Sequence, residues 1–108
     1  MRLDEVFEQP MIGYKVMRIE DGQLVAGADS RQTFPSTIGT TINMKGNGIY
    51  LGTDEQYVLD YYSGLADEEA LLTFEFYPSD ITTGNLDDRE VEISVKSAKL
   101  IDIEVLED

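Results

Sequence analysis

The chain has 108 residues, no cysteine, no histidine, and 22 acidic against 8 basic side chains, for a formal charge of −14. These counts exclude disulfides, thiolate zinc sites, cysteine nucleophiles and the imidazole that most often serves as general base or metal ligand. A hydrophobic fraction of 42% at this length predicts a single globular domain, residues 1–108.

No stretch reaches the ~18–20 apolar residues that cross a bilayer, and Met1 to Pro10 lacks the basic start and apolar middle of a signal peptide. The expectation is a soluble, cytoplasmic chain with no membrane partner. Ile12 to Ile19 is rich in β-branched and aromatic residues and reads as a strand. Asp21-Gly22 is a two-residue turn signal, and Gln23 to Ala26 would return from it. Gly27 to Gly48 is dominated by Gly, Ser, Thr and Asn, which predicts a long loop with one short strand near Thr40 to Met44.

Gly46-Asn47-Gly48 then turns the chain into a strand, Ile49-Tyr50-Leu51. A helix follows over about 54–63. Thr53 can cap it with Gln56 as capping-box partner, Asp54 and Glu55 suit its positive end, and Gly64 can close it. Tyr57, Val58, Tyr61, Tyr62 and Leu65 fall at helical spacing, so the tyrosines read as helix core. Their polar tips leave the alternative of one edge at a binding surface.

From Leu71 to Tyr77 the period becomes two, with Leu72, Phe74 and Phe76 on one face. Pro78-Ser79-Asp80 ends that strand and Thr82 to Asp88 reads as a polar loop. Val91, Ile93 and Val95 make another strand. A turn or bulge near Ser97 separates it from a last one through Ile101, Ile103 and Val105. The fold class expected is α+β, a mostly antiparallel twisted sheet of five to seven strands with one main helix.

The glycines form neither a dinucleotide fingerprint nor a phosphate loop, because Gly46-Asn47-Gly48 precedes a strand and no Gly-Lys-Ser/Thr follows. Asp80, Asn85, Asp87, Asp88 and Glu90 supply the oxygen ligands that calcium prefers, but their spacing fits a solvated acidic turn better. No metal or cofactor is expected. Charge is unevenly spread: residues 1–53 hold six acids and five bases, whereas 54–108 hold sixteen acids and three bases. Such a half-chain repels phosphate backbones, so nucleic acid is not a direct partner. It can instead imitate the charge of DNA toward a basic surface, although net charge also serves solubility alone. The candidate contact residues are Asp54, Glu55, Asp60, Asp67, Glu68, Glu69, Asp87, Asp88 and Glu90.

Two short blocks carry a resemblance. Gly13-Tyr14-Lys15-Val16, and Gly48-Ile49-Tyr50-Leu51 before a helix ending in Tyr61-Tyr62, resemble the two motif blocks of small phage and prophage proteins of unknown function. More distantly, the layout resembles the ADP-ribosyltransferase fold, in which a first strand with Arg or His leads to a "GIY"-like strand, a helix and a late strand carrying a catalytic Glu. That resemblance implies Lys15, with Arg18 three residues on, in the first-strand slot. It implies Ser36-Thr37 for a Ser-Thr-Ser block, and Glu92, with Glu75 second, for the glutamate. The reading favoured by sequence is a small acidic phage or mobile-element protein that binds the basic surface of a host protein or nucleoprotein complex. It would inhibit a bacterial defence complex in the manner of an anti-CRISPR protein. The alternatives are an ADP-ribosyltransferase-like enzyme using NAD, or a phage accessory or structural protein.

Overall fold

Asp21 and Gly22 both have positive φ, +53° and +78°, the mirror-image turn whose twist matches that of the strands it joins. It links β1 (Met11–Glu20) to β2 (Gln23–Ala26) in register, Glu20 opposite Gln23. The computed structural model describes residues 9–26, 32–44, 46, 48–83 and 91–106. Within them follow β3 (Gln32–Phe34), β4 (Thr41–Asn43), β5 (Ile49–Gly52), the helix α1 (Glu55–Tyr62), β6 (Glu69–Phe76), β7 (Ile81–Thr83), β8 (Glu92–Val95) and β9 (Ser97–Leu106). A single sheet holds all nine strands in the order β4-β9-β6-β1-β5-β8-β7, with β2 and β3 branching from β1. Every pairing among the described strands is antiparallel. No helix of the described residues is long and apolar enough to cross a membrane.

The α+β class holds, with nine strands where five to seven were expected. The additions are β3, inside the stretch expected as a long loop, and β7, which overlaps the start of the expected polar loop. Both are three-residue strands, too short to show a period of two, and each pairs with the strand next to it in the chain, β3 with β2 and β7 with β8. The short strand expected near Thr40 to Met44 is β4. The residues of the acidic loop from 84 to 90 lie outside the described part. Asp80, its first acid, closes the turn after β6 by accepting from the Tyr77 N–H at 3.1 Å.

Period-two patterning builds the core on one face of the sheet. Met17, Ile49, Leu51, Leu72, Phe74, Phe76, Ile93, Val95 and Leu100 are all nearly inaccessible. The sheet curls around them, since Phe34 of β3 meets Phe74 of β6 edge to face at 6.2 Å although two strands separate them. The helix covers the opposite face. A Cβ on Gly13 would strike Leu51 and Phe76 on the core side, whereas a Cβ on Gly52, the next residue after Leu51, would lie 2.1 Å from Val58 Cγ2.

The helix is capped differently from the expectation. Asp54 is the N-cap, its Oδ1 accepting from the Tyr57 N–H at 3.0 Å. Thr53 is held outside by its own N–H, which donates to the Val91 carbonyl at 2.8 Å. Gln56 donates to Asp60 Oδ1 at 2.8 Å, an i,i+4 contact, instead of completing a capping box. Gly64 follows the end of the helix with φ +82°, as a C-terminal glycine does. The apolar face is also narrower than its spacing suggested: Val58 is its one buried residue, while Tyr61 is 66% and Leu65 76% exposed. An eight-residue helix lying on a single contact row buries little more than one side chain, and its tyrosines stand at the rim.

Gly52 is therefore the position that admits the helix. Gly52→Ala should destabilise by about 1–3 kcal/mol, as overpacking does. Adding Val58→Ala should recover part of that loss in urea denaturation, a coupling expected for residues in contact. Additive losses would mean that the helix does not rest on this position.

Candidate functional site

Along one edge β1 pairs with β6 from Met11 to Arg18. Its other edge meets β5 at Tyr14–Gly52 and β2 from Arg18 to Glu20, so Lys15–Met17 have no strand partner there among the described residues. This notch opens beneath α1. It forms a cleft of about 60 Å³ lined in part by Tyr14, Lys15, Tyr50, Gly52, Tyr62 and Glu92.

Glu92 is the centre of the cleft. It sits opposite Gly52 in the β5–β8 register, so no side chain from β5 shields its carboxylate there. Tyr50 Oη donates to Glu92 Oε2 at 3.1 Å. Tyr57 Oη donates to Oε1 at 3.4 Å, and Tyr62 Oη donates to the same oxygen. Three phenols from a strand and a helix thus converge on one carboxylate, in hydrogen bonds strengthened by its charge. Tyr57 also stacks at 4.5 Å on Tyr61 and meets Tyr62 edge-on at 6.5 Å. The hydrogen bond to Glu92, followed by burial, raises the Tyr62 pKa well above the ordinary phenol value. Burial, followed by the Glu92 charge and hydrogen bond, raises that of Tyr57.

Lys15 completes the site. Its Nζ donates to the Tyr50 carbonyl at 3.2 Å, and burial lowers its pKa. One cleft therefore holds a carboxylate with phenolic donors, aromatic faces and a desolvated amine, drawn from three neighbouring strands and a helix. That set can receive a cationic or developing-cation group at Glu92, with a polar or anionic group toward Lys15. No group of three or more metal-ligating side chains occurs among the described residues.

The acids singled out from sequence fall into three groups. Glu55, Asp60, Asp67 and Glu68 are exposed along α1 and the turn after it, and Asp54 is exposed but serves as the helix cap. Glu69 is 6% exposed and accepts from the N–H groups of Gly64 (2.6 Å) and Leu65 (3.2 Å), so it is a structural acceptor and no part of an acidic surface. Asp87, Asp88 and Glu90 lie outside the described residues. Of the positions implied by the transferase resemblance, Lys15 and Glu92 meet in the cleft. Ser36-Thr37 are exposed on the stretch before β4, and Glu75 lies on β6, and neither lines it. The sequence also holds a Glu-x-Glu run, Glu90-Val91-Glu92, of which Glu92 is described. Tyr50 belongs to the Gly48–Leu51 block, but its contact with Glu92, 42 residues on, has no signal in the local sequence. Comparison with protein-family models, curated proteins and solved structures finds no match.

A phenol whose pKa is higher folded than unfolded stabilises the fold below pH ~10 and loses that contribution as pH rises through the folded value. In a spectrophotometric titration, wild-type protein should retain late-ionising tyrosine that Glu92→Gln brings back toward the ordinary range. An unchanged titration curve in Glu92→Gln would remove Glu92 from the centre of the cluster.

Proposed function

We propose that the cleft receives the nicotinamide end of a nicotinamide dinucleotide substrate and that the protein is an ADP-ribosyltransferase-like enzyme. The observation that carries this reading is the meeting of Lys15, Tyr50 and Glu92, from β1, β5 and β8, under Tyr62 of α1. These are the first-strand cation, the "GIY" strand, the helix and the late glutamate of the resembling layout, gathered from across the chain.

The chemistry fits without a histidine. In such a transfer the bond between the nicotinamide nitrogen and the ribose C1′ breaks, and nicotinamide leaves as a neutral molecule with the bonding pair. The ribose passes through an oxocarbenium-like state, and the acceptor's nucleophile adds to C1′ as its proton goes to a base. A fixed carboxylate stabilises that positive charge as it develops, which is where preorganised electrostatics contribute most. Glu92 has its carboxylate held by Tyr50, Tyr57 and Tyr62, so little reorganisation accompanies the reaction. The tyrosine faces suit the cationic pyridinium ring, and Lys15 supplies positive charge for the anionic part of the dinucleotide.

A second reading has its own observation. Glu55, Asp60, Asp67 and Glu68 are exposed on α1 and the turn after it, an acidic rim that supports binding to a basic host surface, as in a DNA-mimic inhibitor of phage origin. One side-by-side experiment separates the two. Nicotinamide release from NAD should fall by about 10²–10³ in Glu92→Gln, the scale for losing one preorganised electrostatic group. It should be unchanged in the Asp67→Lys/Glu68→Lys double variant, whose charge is −10 instead of −14. Glu69 is left intact in that variant because its reversal would unseat the turn. If neither variant affects NAD turnover, or no turnover exists, and the double variant slows association with a host protein, the acidic rim is the functional surface.

A further inference from the structure

A second cavity, of about 360 Å³, continues from the cleft past Lys15, Val16 and Tyr62 to Arg18, Val25, Leu65 and the carboxylate of Glu69. Arg18 lies on β1 between Val25 of β2 and Glu69 of β6. Its Nε and Nη2 reach no solvent and have no hydrogen-bond partner. These two nitrogens form the side-on fork of a guanidinium, the edge that takes two oxygens of a carboxylate or phosphoryl group in parallel hydrogen bonds. In a chain of 22 acids these two nitrogens still have no carboxylate oxygen bonded to them among the described residues. The nearest acid in the register, Glu69, has its oxygens engaged by the Gly64 and Leu65 N–H groups. A desolvated charge with unfilled donors is costly to hold, and an incoming anion would offset that cost.

We infer that the Arg18 cavity is an oxyanion subsite, taking the phosphoryl or carboxylate group of a small molecule on the Nε/Nη2 fork. Val16, Val25 and Leu65 provide an apolar wall, and the Tyr62 ring an aromatic one, so the anion is attached to an apolar or aromatic body. The subsite adjoins the Glu92 cleft but uses a different side chain and does not depend on the transferase reading.

The test follows the Arg18 Nε–H resonance and calorimetric heat while wild-type protein is titrated with inorganic pyrophosphate in one arm and benzoate in the other. At least one should bind saturably and shift that resonance, and the stronger of the two identifies the group as phosphoryl or carboxylate. Arg18→Met should weaken the binding by at least about tenfold, the scale of losing charge-assisted hydrogen bonds. Glu92→Gln should leave it within about twofold, because its carboxylate is not part of the fork. Absence of saturable binding in both arms, or equal binding by Arg18→Met, would overturn the subsite. The wild-type resonance decides the matter even if Arg18→Met does not fold. NAD turnover by the wild-type protein without oxyanion binding, or oxyanion binding without NAD turnover, tells failure of one proposal from failure of the other.

Discussion

The contact between Gly52 and Val58 sets the geometry of everything above the sheet. With no side chain at Gly52, the helix comes down until Val58 fills that space. At that depth Tyr57 and Tyr62 reach the Glu92 carboxylate, directly across the β5–β8 ladder from Gly52. A helix raised by one methyl group would lift its phenols from the carboxylate. The same missing side chain thus seats the helix and bares the glutamate.

The notch in the sheet is the second determinant. A continuous partner along β1 would bury the Lys15–Met17 edge and close both cavities. Instead, β5 joins at Tyr14 and β2 leaves at Arg18, and the cations of β1 face the space between them. The two cations lie near carboxylates without a hydrogen bond to them: Lys15 donates to a carbonyl, and the Arg18 fork has no partner among the described residues.

How much of this the sequence revealed follows from the range of each interaction. The Asp21-Gly22 hairpin, the Leu72/Phe74/Phe76 face and the position of α1 are written locally, in turn chemistry and periodicity, and the structure has them where they were expected. Strands β3 and β7 are not legible in the sequence because three residues set among Gly, Ser, Thr and Asn are too few to show a period of two. The cap shifted from Thr53 to Asp54 because Thr53 is engaged by Val91, a contact 38 residues away. The tyrosines were read as core because their spacing fits one face, yet a short helix resting on Val58 alone leaves Tyr61 and Tyr62 exposed. Acidity drew attention to charge number, whereas the site depends on one acid, Glu92, whose partners lie 30 to 42 positions away. Glu69 was indistinguishable from Asp67 and Glu68 in sequence; burial alone separates it from them.

The central claim is that ligand chemistry resides in the cleft under α1. An amide-resolved NMR titration of the wild-type protein with NAD tests it directly. The account predicts saturable shifts clustered at Tyr14, Lys15, Tyr50, Gly52, Tyr62 and Glu92, with little change along β4 and β9. Shifts confined to the acidic rim at Asp67 and Glu68, or no saturable shift at all, would contradict it.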